Sequence, residues 1–427
     1  MTTVRRLLGA TVAAVVAVPA FAAAAAADPA VAVPEIATVV SDWDTIAQST
    51  LLGDTSKAPQ ETLLYTAFVH AAIYDAVVGV YPRYTPYRGI GHAPRHTSAT
   101  AAAVAAAHKI LETYSPYAQS TLDAALATSL AAVPDGTAKT DGVAYGERVA
   151  QHLIDLRAND GRYAPTLYTK PPAPGVWRPT PPGFLPMAAP WLGGVTPLLV
   201  RDNQQFGPPR PPTLTSARYT RDFDEVKAYG SATSTVRTAQ QTATALFFSG
   251  NAAVQILASL RDQATVRHLD IVDSARMFAA VTMTTADALI TAWQAKLFWG
   301  FWRPMTAIQL ADTDGNPVTA ADPAWTPLLT NPNYPDYVSG YNAVIASSSR
   351  ALEHVVGSAD LNLTLISTAV PNATRHYDSG AKLRADVVDA RVLLGIHFRT
   401  ADTAARTLGV SLADWIACHY FQPIGHH

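Results

Sequence analysis

Between residues 159 and 215 the chain carries prolines at a density that neither a helix nor a central strand tolerates. Lys170-Pro-Pro-Ala-Pro-Gly-Val-Trp-Arg-Pro-Thr-Pro-Pro-Gly183 dominates the stretch, and Pro208-Pro-Arg-Pro-Pro212 closes it. Each proline removes a backbone donor and clashes with the carbonyl one turn back, so the segment is irregular. A run of this length without regular structure is either a functional loop that contacts substrate or a belt lying on packed surface. Trp177, Phe184 and Trp191 favour the belt, because large aromatics need a surface to cover. Whatever folds regularly must do so on either side of it.

On both sides apolar residues recur at helical spacing. The N-terminal segments are Glu35 to Leu52, Glu61 to Val80, Ser98 to Tyr114, Tyr117 to Ala131 and Thr137 to Ala158. The pattern resumes from Phe223. It predicts helices over Thr235 to Phe248, Ala252 to Gln263, Ile271 to Phe301, Gly340 to Val355, Ala381 to Leu394 and Ala401 to Tyr420. Ala-rich stretches are frequent and Val/Ile/Thr alternation is scarce, which favours helix over sheet. The expected fold is all-α. Two helical halves, residues 28–158 and 216–427, are joined by the belt at 159–215, with the chemistry in the C-terminal half.

Residues 1–27 read as an export signal peptide: Arg5 and Arg6, an apolar stretch from Leu7 to Ala20, then small residues from Ala22 to Ala27. A secreted protein is expected, by a general or a twin-arginine route. Without the leader, 31 − 2 = 29 basic residues face 33 acidic ones, a balance that argues against nucleic acid or anionic lipid as partner. No uninterrupted apolar run of about 18 residues follows the leader, which predicts a soluble rather than an integral membrane protein. Cys418 is the sole cysteine, so no intrachain disulfide and no thiolate metal cluster can form.

Three separated segments carry the chemistry. In Trp293-Gln-Ala-Lys296-Leu-Phe-Trp-Gly-Phe-Trp-Arg303-Pro304, two cations stand seven residues apart within an aromatic run. On a continuous helix they would share a face, although Pro304 disfavours helical dihedrals at Arg303. In Asn331-Pro-Asn-Tyr-Pro-Asp-Tyr-Val-Ser339-Gly340-Tyr341, a proline-rich turn leads into a helical pattern. Free backbone N–H groups at such a helix start favour an anion, and Ser339 alone would be an ordinary N-cap. In Asp389-Ala-Arg391-Val-Leu-Leu-Gly395-Ile-His397-Phe-Arg399, Arg391 and His397 lie about 120° apart on a straight helix. Reaching one ligand together requires the helix to end or turn, which Gly395 allows.

Lys-x6-Arg-Pro, a proline-rich turn to Ser-Gly, and Arg-x5-His, in that order, resemble the three-part signature of the vanadium-dependent haloperoxidases. Type-2 phosphatidic acid phosphatases and bacterial non-specific acid phosphatases share that signature. Gly175-Val-Trp-Arg-Pro-Thr-Pro-Pro-Gly-Phe184 and Gly395-Ile-His-Phe-Arg399 are similar to secreted bacterial homologues of the haloperoxidases. The resemblance implies an oxyanion site for vanadate, or phosphate in its place. Lys296, Arg303 and Arg391 would meet the equatorial oxygens, Ser339 and the Gly340 N–H would donate further bonds, and His397 would take the apical position. In a haloperoxidase His397 would bind vanadium, with hydrogen peroxide and halide or a small organic molecule as substrates. In a phosphatase it would be the nucleophile. Trp293 and Tyr334 match positions that flank the halide pocket in some haloperoxidases, with ordinary aromatic packing as the alternative. A homodimer is left open.

The chain departs from the signature in three places. Tyr341 stands where the family usually has an acid–base histidine, and a tyrosine near its usual pKa offers a neutral donor rather than a poised proton shuttle. It either compensates as a hydrogen-bond donor in catalysis or fills a disabled site. That leaves a third reading, a catalytically degenerate oxyanion binder. Ala390 replaces a frequent serine. The aspartate expected four residues after His397 is displaced to Asp402, which puts in doubt the group that orients the imidazole. Elsewhere His376 is expected in a loop, His70 and Asp75 as a buried pair, and His92 with His96 as an unsuitable metal pair because Pro94 divides them.

Overall fold

The structure is a computed structural model and describes residues 35–425, so the leader-like residues 1–27 lie outside it. The elements are α1 (Val39–Gly53), α2 (Glu61–Val80), α3 (Ala99–Tyr114), α4 (Gln119–Ala131), α5 (Thr137–Leu156), α6 (Ala217–Tyr229), α7 (Ala239–Phe247), α8 (Ala252–Val266), α9 (Ile271–Trp299), α10 (Pro304–Gln309), α11 (Gly340–Val356), α12 (Gly380–Leu393) and α13 (Arg399–His419). The fold is all-α apart from one hairpin. Strands β1 (Asp360–Ile366) and β2 (Thr374–Ser379) pair antiparallel, with Leu363 opposite Tyr377.

Helix α9 is the spine. The Asp270 carboxylate caps its start by accepting from the Val272 and Asp273 N–H groups, and Gly300, at φ +60°, ends it in a left-handed residue. Along 29 residues it packs against α2 from the N-terminal half and α11 from the C-terminal half. Behind α2 stand α3 and α5, and behind α11 stands α13. Both halves therefore feed one continuous hydrophobic core.

Several expectations need correction. Helix α2, although its apolar run is interrupted by Thr66, His70 and Asp75, is long and apolar enough on average to cross a bilayer. Here it is covered by α1, α3, α5 and α9, and all its residues but Val80 are buried. His70 does not pair with Asp75. Its Nε2 meets Asp44 Oδ1 at 2.9 Å, Arg261 closes on the other oxygen of Asp44, and Asp75 accepts from the Tyr87 and Arg88 N–H groups. Five residues on a helix put His70 and Asp75 on different faces, so tertiary partners decide. The hairpin was unforeseen, although Leu361, Leu363 and Leu365 alternate as a half-buried strand should. His376 lies on β2 with its side chain exposed, rather than in a loop.

The belt, broken only by a short 3-10 turn at Pro190–Gly194, lies on the core. Trp177 and Trp191 are buried as expected, whereas Phe184 is 64% exposed and covers little. Trp177 N–H donates to Gly300 O at 2.7 Å, and Trp302 N–H donates to Gly175 O at 3.0 Å. The belt thus clasps the corner that joins α9 to Arg303.

Candidate active site

Lys296 and Arg303 do not share a helix face. Helix α9 stops at Trp299, the chain turns through Gly300, and Arg303 adopts an extended conformation before Pro304 opens α10. The turn brings both cations to the same interior region, and neither has any exposed surface. Lys296 Nζ donates to Pro335 O at 2.6 Å and Asp336 O at 3.1 Å, and lies over the rings of Tyr334 (4.9 Å) and Trp293 (5.7 Å). Arg303 donates from Nε to Tyr334 O at 2.9 Å and from Nη1 to Ile396 O at 2.6 Å.

The second segment supplies the helix start. Ser339 caps α11, its Oγ accepting from Asn342 N–H at 3.4 Å. Gly340 begins the helix, in a first turn whose N–H groups have no preceding carbonyl to bond. A Cβ on Gly340 would come within 2.8 Å of the Trp293 ring, so only glycine lets α11 start this close to α9.

The third segment turns as required. Helix α12 ends at Leu393, and Gly395 takes φ +78° with Gly230 O only 2.3 Å from where a Cβ would stand. His397 then falls in the short turn before α13, 1% exposed, with Arg303 Nη1 at 3.4 and 3.2 Å from its two ring nitrogens. Near-equal distances mean the guanidinium lies against the ring without a directed bond to either nitrogen. Burial, and then the charges of Arg303, Lys296 and Arg391, hold His397 well below the ordinary histidine pKa, so the imidazole is neutral. Arg391 is buried, donates from Nη1 to Phe248 O at 3.0 Å, and lies 4.5 Å over the Tyr341 ring.

Three residues of the site were not anticipated in their present roles. Asp336 Oδ1 sits 2.6 Å from His397 Nδ1, both groups sealed from solvent. The orienting carboxylate therefore comes from the proline-rich turn before Ser339. Burial lifts Asp336 to a pKa of about 7, against the opposing charges of Arg303 and Lys296. Its place between Pro335 and the Ser-Gly pair was a signal available in the sequence. Asp402 faces α11 instead, where Asn342 Nδ2 donates to its Oδ1 at 2.8 Å. Gln255 on α8 accepts the Tyr341 hydroxyl at 2.6 Å, a contact that no local pattern announces. Trp293 and Tyr334, with ring centroids 4.9 Å apart, form a wall over Lys296, and Trp293 Nε1 donates to Ala188 O of the belt at 3.1 Å.

Four buried polar atoms here lack partners: Arg303 Nη2, Arg391 Nε, Asp336 Oδ2 and Asp402 Oδ2. Two orphaned guanidinium N–H groups beside a lysine and a helix start match the donor set a tetrahedral oxyanion needs. Among the described residues no cluster of His, Cys, Asp and Glu could hold a bare metal cation.

Residues 276–425 match the VCPO second helical-bundle domain family. The C-terminal part of the chain, which carries all three signature segments, is thus similar to the second helical bundle of the vanadium chloroperoxidases. A stretch covering 32% of the chain is 28% identical to the vanadium chloroperoxidase of Curvularia inaequalis, and spans only 29% of that protein. In fold, a bacterial vanadium-dependent iodoperoxidase superposes with TM-score 0.79 at 20% identity, covering 92% of this chain and 99% of that one. A holo-type bacterial vanadium-dependent chloroperoxidase gives 0.67 at 20% identity, covering 84% and 90%.

Proposed function

We propose that this chain is a vanadium-dependent haloperoxidase-like oxidoreductase that binds vanadate and uses hydrogen peroxide to oxidise halide. The observation that carries the reading is the pair of buried, unpartnered guanidinium N–H groups of Arg303 and Arg391 around His397 and the Ser339–Gly340 helix start. Burial pushes the Asp336 and Asp402 carboxyls toward their neutral forms and pulls Lys296 and Arg303 below their ordinary values, so a bound anion would restore the balance that keeps these cations charged. Lys296, Arg303, Arg391, Ser339 and the Gly340 N–H would hold the oxygens, and His397 Nε2 would face vanadium. Asp336 fixes that tautomer by accepting the Nδ1 proton. When bound, vanadate supplies the Lewis acid that polarises peroxide, without changing oxidation state. The wall of Trp293 and Tyr334 excludes water from Lys296 and flanks the halide approach.

One observation favours a weaker enzyme: the Tyr341 hydroxyl donates to Gln255, so its proton is committed to α8. That also counts against the phosphomonoesterase reading, in which the leaving oxygen needs a donor. Equilibrium dialysis with vanadate is the primary test. Stoichiometric binding that His397→Ala abolishes supports the proposal, and no binding overturns it. Halogenation of a dye with peroxide and bromide, chloride or iodide that requires vanadate supports the oxidoreductase. Release of phosphate from an aryl phosphate without vanadate would instead select the phosphatase, with His397 as nucleophile. Export through residues 1–27 belongs to the same proposal, and recovery of the chain from culture medium shortened at its N-terminus would test it.

A further inference from the structure

Asp402 is fully buried in the first turn of α13, five residues beyond His397. Its Oδ1 accepts from Asn342 Nδ2, the Ser339 hydroxyl lies beside it, and its Oδ2 has no hydrogen-bond partner. A carboxylate buried for structure alone closes its pairs, as Asp44 does with His70 and Arg261. Asp402 leaves one oxygen without a bond, near enough to Lys296, Arg303 and Arg391 to feel their charges. The groups that face it are Ser339 and Asn342 on α11, Lys296 on α9, Arg303 at the start of α10, Arg391 on α12, and Asp336.

The other proton carriers of the site are engaged at least in part, Asp336 through its Oδ1 on His397. The Tyr341 hydroxyl donates to Gln255, His397 is tied to Asp336, and Lys296 donates to two carbonyls. We propose that Asp402 is the proton-carrying catalytic residue of this site, donating from Oδ2 to an oxygen of the bound oxyanion. The resemblance would assign that work to a histidine at position 341, and the inference rests on the vanadate reading above. Burial favours the protonated carboxyl the role requires. In the step, the Asp402 O–H bond would break and a second O–H bond would form on a hydroxyl oxygen of the oxyanion. The electron pair stays on Asp402, stabilised by Asn342 and the three cations. Bound vanadate would supply the exchangeable oxygen, released as water against hydrogen peroxide, whose proton would return to Asp402.

The test uses the full-length protein and vanadate alone, with the dissociation constant followed by equilibrium dialysis from about pH 6 to 9 in wild type and Asp402→Asn. The amide keeps a neutral donor but cannot ionise. Above the Asp402 titration, wild-type affinity should fall relative to the variant by up to tenfold per pH unit, with vanadate's own ionisation cancelling in the comparison. With peroxide and halide, Asp402→Asn should lower kcat by about 10² to 10⁴. Adding Tyr341→His to Asp402→Asn should restore part of it. Parallel affinity curves, or an unchanged kcat, overturn the assignment while leaving the cage intact. Absence of vanadate binding by the wild type overturns both. Should Asp402→Asn fail to fold, Asp402→Glu must keep the pH-dependent loss of affinity seen in wild type, and a flat profile overturns the role.

Discussion

Replacing Asp336 by asparagine tests the most consequential contact of the site. The carboxylate accepts from His397 Nδ1 at 2.6 Å, with both side chains sealed from water. Asparagine keeps the volume and one carbonyl but removes the charge, and its amide can also turn an N–H toward the ring. The second orientation forces the imidazole proton onto Nε2, the nitrogen meant to face vanadium. A hydrogen bond to a charged group contributes about 1.5–3 kcal/mol. Loss of an outer partner of a metal-binding histidine typically costs about 10- to 100-fold in affinity, or about 1.4–2.8 kcal/mol. The two routes agree, so vanadate should bind Asp336→Asn about 10- to 100-fold more weakly at pH 8. Folding should suffer little, because burial already disfavours the charge that the substitution removes. Equilibrium dialysis gives the affinity and thermal unfolding the control. A dissociation constant within twofold of wild type, at native stability, would show that Asp336 does not orient His397.

Gly395→Ala should destabilise the protein by about 1–3 kcal/mol or more, since φ +78° is strained for alanine and its Cβ would meet Gly230 O at 2.3 Å; urea unfolding measures the loss, and a neutral result would refute the clash. Asp44→Leu leaves His70 and Arg261 without their shared carboxylate and should cost about 3–5 kcal/mol, read as a lowered unfolding midpoint. Burial lifts Asp75, Asp287 and Asp336 to about 7, 6 and 7, all above their unfolded value of about 4. Their protonated forms favour the fold, so this contribution is present in full below about pH 4 and is lost as pH rises through 6 to 7. Without vanadate, the melting temperature should therefore be higher at pH 5.5 than at pH 8, and the reverse order would contradict the assignment.

Much of this was legible in the chain because long amphipathic helices and caps are local. The boundaries of α2 and α9, the Ser339 cap and the turn at Gly395 follow from residues within a few positions. What escaped was set by tertiary contact. Lys296 and Arg303 meet because Gly300 breaks the helix their spacing implies, and His70 finds Asp44 rather than Asp75 because α1 crosses α2 there. The imidazole's partner, Asp336, lies 61 positions away in sequence. The resemblance directs attention to the aspartate just after the histidine, and here that carboxyl instead accepts from Asn342 on α11.

The belt's grip on Gly300 and Trp302 has a bearing on excision. The stretch that carries the family match begins inside α9 and omits residues 175–177, whose backbone pins the bend on which Arg303 stands. It also omits α2, leaving one flank of the spine bare and greasy. Residues 276–425 expressed alone would keep every motif on paper, yet lose the distant brace that sets the spacing of the two leading cations. Portability, in this protein, ends at the belt.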